Sequence, residues 1–131
     1  MTTADRIPSA ALSSLIILQS VMLTALHAGV PPHPPKAIAL FGIAPFLAVA
    51  LSVAVAALIL GPGSSRAGRW TGGLAALMAL LSFGPQKYFD AQFALIWPAV
   101  LCGQAASLIL IANLVLQGRA SREAAPDGAK S

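Results

Sequence analysis

The chain has 131 residues, of which 57% are hydrophobic and only 9% are charged, with eight Lys or Arg against four Asp or Glu. A water-soluble domain of this length cannot bury so much apolar surface, so the composition excludes an ordinary soluble fold. The basic residues are scattered and form no stripe with interleaved aromatic residues, which argues against nucleic-acid binding. Long uncharged runs alternate with short charged segments, a pattern typical of membrane spans joined by loops.

The first apolar run predicts a transmembrane helix over residues 10–28. Pro8 and Ser9 suit a helix start, and Gly29 suits a stop. A cleaved signal peptide is the alternative. Against it, Asp5 offsets the basic charge before the run, the run is longer than a usual signal sequence, and no clear small-x-small cleavage site follows. We therefore expect an uncleaved span.

The second predicted span covers residues 37–60, after a Pro-rich turn at 30–36 whose four prolines exclude a helix. Pro45 lies inside this span and is expected to kink it, which membrane helices tolerate where neighbours satisfy the freed carbonyl. The third predicted span, 70–84, is short and has Trp70 at one end as an interfacial anchor. We expect both segments to cross the bilayer.

The fourth span is predicted over residues 91–117, and the sequence leaves two alternatives open for its start. Either the whole range is one kinked helix with Asp90 as its N-cap, or a shorter helix begins near Trp97 and the segment 84–97 lies along the membrane surface. Residues 118–131 carry mixed charges with Ala, Pro and Gly, and are expected to form a flexible tail.

Together these segments predict an all-α integral membrane protein, in which a bundle of four transmembrane helices with short loops fills residues 10–117 and follows a short N-terminal segment, 1–9. With four spans, six basic residues lie on the side of the two termini, against Lys36 and Lys87 on the other. Cytoplasmic segments carry the excess of Lys and Arg. Both termini are therefore expected to be cytoplasmic, and the Ala-, Gly- and Arg-rich composition favours a bacterial inner (plasma) membrane.

Helices in lipid associate through close packing of small residues and through a few hydrogen bonds, because lipid is as apolar as the side chains themselves. Small residues recur at helical spacing in three spans, which favours a compact bundle or a tight dimer. They are Ala44, Ala48, Ser52 and Ala56 in the second span, Thr71, Gly72, Ala75, Ala76 and Ala79 in the third, and Gly103 and Ser107 in the fourth.

A single polar stripe runs along the first span, within a sector of about 60° on the helix surface. The polar stripe consists of Ser13, Ser20, Thr24 and His27. In one interpretation the hydroxyl groups bond back to carbonyls of their own helix, and the histidine sits at the membrane interface. In the other, the stripe lines a path for a ligand or partner, completed by Gln104 or Asn113 of the fourth span.

Aromatic and polar residues gather on the side opposite the termini. They favour either an interfacial anchor or a docking surface for another membrane subunit, a lipid or a quinone headgroup. This outer-face set consists of His33, Lys87, Tyr88, Phe89, Asp90 and Trp97.

The sequence lacks the residues that several functional classes require. No Asp, Glu, Lys or Arg lies deep in a span, which argues against transport through a buried carboxylate and separates the chain from the small multidrug-resistance transporters. No catalytic motif is present, so no catalytic residue is assigned. Cys102 is expected to pack as a small apolar residue, and with two histidines it makes no metal site, so no cofactor is expected. Size and span number are similar to those of the DoxX-like and fluoride-channel families, but their motif residues are absent.

Three functional hypotheses remain. The leading one is a non-enzymatic accessory or assembly subunit of a larger membrane complex, with the lipid bilayer and other membrane subunits as its partners. The alternative is a small homo-oligomeric transporter or channel whose path the polar stripe lines. The third is a membrane enzyme that uses His27, His33 or Asp90 as acid or base near the outer interface.

Overall fold

The structure is a computed structural model that describes residues 1–30, 40–89 and 93–125, the side chains of residues 40 and 41 excepted. Its four α-helices are α1 Arg6–Ala28, α2 Leu40–Leu60, α3 Arg66–Phe83 and α4 Phe93–Glu123. Short 3-10 helices, Thr3–Asp5 and Pro85–Phe89, precede α1 and α4. The predicted Pro-rich turn with His33, the residue Asp90 and the end of the predicted tail lie outside the described residues.

Three helical segments are long and apolar enough to cross a membrane: Thr3–Ala28, Gly42–Leu60 and Phe93–Glu123. The predicted all-helical bundle is therefore confirmed, together with three segments able to span a bilayer. The remaining helix, α3, has 18 residues and begins with a half that contains two arginines and three glycines. With this composition, α3 is less apolar than the other three helices.

The helices differ from the predicted spans mainly at their ends. A 3-10 turn leads directly into α1, which begins at Arg6 rather than at residue 10 and ends at Gly29 in a left-handed conformation with φ 64°. The described part of the fourth helix starts at Phe93 and continues past Pro98. This start is closer to residue 91, where the longer predicted helix begins, than to Trp97, where the shorter one begins. The helix also runs six residues beyond Gln117, because the added residues are mostly strong helix formers such as alanine and arginine.

Successive helices run in alternating directions, so both ends of the described chain meet at one end of the bundle. There the Nε2 atom of Gln117 donates a hydrogen bond to the carbonyl oxygen of Ala4 at 2.7 Å. Asp5 also binds the loop between α2 and α3 at this end. We call it the terminal end: residues 1–5 with the start of α1, the loop 61–65 with the start of α3, and the end of α4.

The core of the bundle is made almost entirely of alanine and leucine. Each helix packs against the next in the chain, and α1 packs against α4, which closes the ring. Small side chains let the helix backbones approach closely, as they do in membrane helix pairs. The core cluster consists of Ala11, Leu12, Leu15, Ala54, Ala57, Ala75, Ala76, Ala79, Ala106, Leu110 and Leu114.

The predicted small-residue ridges of α3 and α4 face this core. Gly72 and Ala76 are buried on α3, and Gly103 and Ser107 are buried on α4. Ser107 donates a hydrogen bond to the carbonyl oxygen of Gly103 at 2.8 Å, so its hydroxyl group is satisfied inside the helix. These positions therefore bring the backbones of α3 and α4 close to their neighbours.

Helix α2 turns its predicted ridge away from the core. Ala48 and Ser52 are exposed, whereas Ala50, Ala54 and Ala57 are buried. Alanine lies on both sides of this helix, so spacing alone did not identify the side that packs. Cys102 on α4, expected to pack as a small apolar residue, is likewise exposed on the outside of the bundle.

Gly103 marks the closest approach between α4 and the end of α3. A Cβ atom built at this position would lie 2.6 Å from the Cγ atom of Phe83. The Phe83 ring is only 4% exposed, so it cannot move aside without disturbing its own packing. Glycine is therefore required here by the space available rather than by backbone conformation.

We expect Gly103→Ala to lower the free energy of unfolding by about 1–3 kcal/mol, because the added methyl group overpacks the contact with Phe83. Gly118→Ala, in the same helix, is the matched control, since a Cβ atom there meets nothing within 4 Å. The control should be neutral or slightly stabilising, because alanine is the better helix former. Unfolding in mild detergent, followed by circular dichroism, measures both; equal effects of the two variants would contradict the proposed contact.

Candidate functional site

The carboxylate of Asp5 joins three segments at the terminal end. Its Oδ1 atom accepts hydrogen bonds from the backbone N–H groups of Gly63 at 2.8 Å and Ser64 at 3.0 Å. Its Oδ2 atom accepts from the hydroxyl group of Thr2 at 2.6 Å and from the N–H group of the same residue at 3.2 Å. Asp5 is 4% exposed, and both oxygens have donors, as a buried carboxylate requires. We call these four residues the Asp5 cluster.

Glycine makes this loop geometry possible. Gly61 has φ 77°, a left-handed conformation that residues with a Cβ atom rarely adopt. A Cβ atom at Gly63 would overlap the backbone carbonyl of Ala4, so a larger residue would push the loop off the carboxylate. Just after the loop, the hydroxyl group of Ser65 accepts a hydrogen bond from the N–H group of Gly68 at 2.8 Å and caps α3.

A groove of about 690 Å³ opens beside the Asp5 cluster, between the start of α1 and the end of α2. Arg6, Ser9 and Ser13 contribute polar groups to it. Its apolar wall is formed by Leu58, Ile59 and Leu60. The volume lies in the range of small-molecule sites, about 300–1,000 Å³. We call it the terminal groove; Ser13 belongs both to it and to the polar stripe.

The polar stripe lies on the outside of the bundle. Ser13, Thr24 and His27 are exposed, and Ser20 is half-buried. The side of α1 that faces the core carries apolar residues instead, among them Leu12 and Leu15. The stripe therefore lines no path through the interior of the part of the chain that the structure describes.

Hydroxyl groups in the stripe differ in their hydrogen bonding from most other helical hydroxyl groups. Six hydroxyl groups elsewhere donate to the carbonyl group four residues earlier in their own helix: Ser14, Ser52, Thr71, Ser82, Ser107 and Ser121. Those of Ser13, Ser20 and Thr24 have no hydrogen-bond partner within residues 1–30, 40–89 and 93–125. These three groups remain available to an outside partner.

His27 does bond to its own helix. Its Nδ1 atom lies 2.9 Å from the carbonyl oxygen of Leu23, and since a carbonyl group only accepts, Nδ1 carries the hydrogen. In the neutral ring, Nε2 is then an acceptor on an exposed side chain. The stripe thus offers hydroxyl groups along its length and a histidine nitrogen at the end away from the termini.

Gln104, predicted to complete the stripe, binds the Pro85–Phe89 turn. Its Nε2 atom donates to the carbonyl oxygen of Phe83 at 2.8 Å, and its Oε1 atom accepts from the hydroxyl group of Tyr88 at 2.7 Å. The other predicted residue, Asn113, donates to the carbonyl oxygen of Ile109 at 2.9 Å in its own helix. These hydrogen bonds bring neither amide to a residue of the polar stripe.

The outer-face set is described in part. The ring of Tyr88 lies 5.1 Å from that of Phe93, centroid to centroid, and its hydroxyl group is held by Gln104. Phe89 is 92% exposed and Trp97 49% exposed, so most of this aromatic surface is open to lipid or to a partner. Lys87 is half-buried. His33 and Asp90 belong to the set by prediction and lie outside the described residues.

Gln19 is a polar residue that the sequence patterns did not single out. It lies on the core side of α1, is 1% exposed, and its Nε2 atom has no hydrogen-bond partner among the residues described. The only signal in the sequence is one amide within a long apolar run. A buried amide donor of this kind has a high cost unless it is paired.

A second groove, of about 630 Å³, lies between α3 and α4 and is almost entirely apolar. Trp70, Leu74, Leu77 and Ile111 line it. Trp70 is 73% exposed and begins this surface near the terminal end. The groove is thus an apolar feature of the outer surface of the bundle.

The described ranges contain no group of three or more His, Cys, Asp or Glu that could hold a metal ion. Comparisons of the chain with protein-family models, with curated proteins and with solved structures found no match. The function proposed below therefore rests on the residues of this chain alone.

We expect Asp5→Ala to lower the free energy of unfolding by about 1–3 kcal/mol, because the N–H groups of Gly63 and Ser64 lose their buried acceptor. Amide hydrogen exchange at these two residues should become faster. Asp5→Asn, which keeps one oxygen, should have a smaller effect. The control is Glu123→Ala, since this carboxylate is exposed at the end of α4; a stable loop in Asp5→Ala would show that the cluster does not hold the terminal end.

At the opposite end, we expect Gln104→Leu to release the Pro85–Phe89 turn. With about 1 kcal/mol for a hydrogen bond, amide exchange within residues 85–89 should become about fivefold faster. Asn113→Leu is the control, because the amide of Asn113 bonds only within α4. Equal exchange rates in the two variants would mean that Gln104 does not fasten the turn.

Proposed function

We propose that the chain is a non-enzymatic accessory or assembly subunit of a larger membrane complex, and that it binds its partner through the polar stripe of α1. The observation that carries the proposal is the set of three stripe hydroxyl groups without a partner among the described residues, on a helix face turned away from the core. The bundle satisfies its own packing with alanine and leucine. The stripe adds nothing to that packing.

Lipid tails offer no hydrogen-bond partner to the three stripe hydroxyl groups. A hydroxyl group that faces hydrocarbon gains from a hydrogen bond to a neighbouring helix, and polar side chains of this kind hold membrane helices together. Six other helical hydroxyl groups avoid the problem by bonding to their own backbone. Ser13, Ser20 and Thr24 do not, so a helix of another protein that offers acceptors would complete their hydrogen bonds.

A neighbouring surface of α2 suits the same contact. Ala48, Ser52 and Ile59 recur at steps of four and seven residues, lie on one side of α2, and are exposed. Ile59 meets Ser13 across the terminal groove, so this side of α2 adjoins the polar stripe. Small residues allow a partner helix to approach closely. The α1–α2 side of the bundle thus combines close approach with hydrogen bonding.

We also propose that α3 forms a fourth crossing and that both termini are cytoplasmic, in a bacterial inner membrane. Eighteen residues of helix extend for about 27 Å, close to the hydrocarbon thickness of about 30 Å, and α3 packs between α2 and α4. An excess of basic residues marks the cytoplasmic side. The described residues at the terminal end include Arg6, Arg66, Arg69, Arg119 and Arg122.

The alternative is a homo-oligomeric transporter or channel, and the outward position of the stripe restricts its form. Stripes from two or more copies would have to face each other, because the interior of one bundle is filled by its core. Such an oligomer predicts flux across vesicles that falls when Thr24 or His27 is replaced by an apolar residue.

The test removes the stripe hydroxyl groups with Ser13→Ala, Ser20→Ala and Thr24→Val in one variant. At about 0.6 kcal/mol for each interhelical hydrogen bond, partner binding should weaken about twentyfold. The control is Ser14→Ala with Thr71→Val, since these hydroxyl groups bond to their own helices. Partners are quantified by mass spectrometry after gentle-detergent purification from membranes of the native host.

The wild-type protein should copurify with stoichiometric partner subunits. A homo-oligomer without other proteins would remove the accessory role and leave the transporter alternative. Undiminished recovery of the same partner with the triple variant would place the contact elsewhere on the bundle.

A further inference from the structure

We propose that the terminal groove binds one anionic membrane phospholipid, with the headgroup phosphate beside Arg6 and Ser9 and an acyl chain along Leu58 and Ile59. This site goes beyond the partner contact proposed for the α1–α2 side of the bundle, with which it shares Ser13 and Ile59. Three independent features of the groove support it: its two-sided lining, its charge and its position along the helices.

The lining of the groove suits an amphiphile. Polar groups come from the first two turns of α1, and the wall on α2 is the apolar run Leu58, Ile59 and Leu60. Ile59 is 80% exposed, so the apolar wall opens to the surroundings of the bundle rather than to a closed cavity. A small water-soluble anion would leave this wall uncovered, whereas an acyl chain would cover it.

Arg6 supplies a positive charge at the groove. It is exposed and lines the polar side. The neighbouring carboxylate of Asp5 accepts its four hydrogen bonds from Thr2, Gly63 and Ser64 rather than from the guanidinium group. Arginine matches a phosphate group with two parallel hydrogen bonds, and the other arginines of the terminal end raise the local concentration of anionic lipid.

Ser9 adds a hydroxyl group to the polar side of the groove. It is 8% exposed, lines the groove, and has no hydrogen bond to a residue of the described ranges. Its hydroxyl oxygen is not one of the enclosed side-chain atoms that lack a partner, so it is open to the groove. A phosphate oxygen in the groove would accept from it, next to the guanidinium group of Arg6.

The groove also lies at the depth where a headgroup belongs. On α1 the apolar run begins at residue 10, and on α2 it ends at Leu60, just before the loop. The groove spans this boundary, because it is lined by the first two turns of α1 and by the last turn of α2. A phospholipid placed there keeps its phosphate at the membrane surface and its chain in hydrocarbon.

The test uses the full chain in neutral detergent, with phosphatidylglycerol, phosphatidylcholine of the same acyl chains, or inorganic phosphate added. Native mass spectrometry should show one retained phosphatidylglycerol per chain, with a rise in Tm. Arg6→Gln should weaken retention about fivefold, the contribution of one basic residue near an anionic surface. Ser9→Ala should weaken it less, and Arg6→Lys should keep part of it.

The control is Arg66→Gln, which removes an exposed arginine of the same end that does not line the groove. Equal loss in Arg66→Gln and Arg6→Gln would overturn the site in favour of diffuse surface charge. Equal binding of phosphatidylcholine, or equal stabilisation by inorganic phosphate, would overturn it as well. Ser20→Ala with Thr24→Val should leave lipid retention unchanged, so failure of this proposal and failure of the partner contact are distinguishable.

Discussion

The close approach of helix backbones across an alanine-rich core is the constraint on which the other features depend. With alanine at most interior positions and glycine at the contact with Phe83, the bundle has little room inside for polar side chains. Most polar groups that the structure describes therefore lie at the helix ends or on the outside. Ser107 and Gln19 are exceptions: the hydroxyl group of Ser107 bonds to its own helix, whereas the Nε2 atom of Gln19 is unpaired among the described residues, which illustrates the cost of placing an amide in such a core.

Both ends of the bundle are held by polar side chains that make hydrogen bonds to another helix or loop. At the terminal end, Asp5 binds the α2–α3 loop and fixes the position of α1 against the end of α2. At the opposite end, Gln104 bonds to Tyr88 and to the last carbonyl of α3. Between the two ends, the helices are held together mainly by apolar packing. The contacts at the ends also set the two surfaces used in the proposals: the outward stripe and the groove beside Asp5.

Features that depend on local sequence were predictable, and those that depend on distant contacts were not. Apolar runs located all four helices, since the runs are separated by segments rich in Gly and Pro. The polar stripe was visible as a spacing pattern, but its outward direction depends on how α1 packs. The packed side of α2 was missed because alanine lies on both faces, and the role of Asp5 was missed because Gly63 is 58 positions away.

The Asp5 cluster has a consequence for the order in which the chain assembles. All four of its residues lie within the first 64 positions, so the hairpin of α1 and α2 can close before α3 and α4 have been synthesised. The contact between Gln117 and Ala4 can form only after almost the whole chain has entered the membrane. The positions of these residues in the chain thus allow α1 to be held against α2 first and covered by α4 later, so that the early hairpin can serve as the template for the second half of the protein.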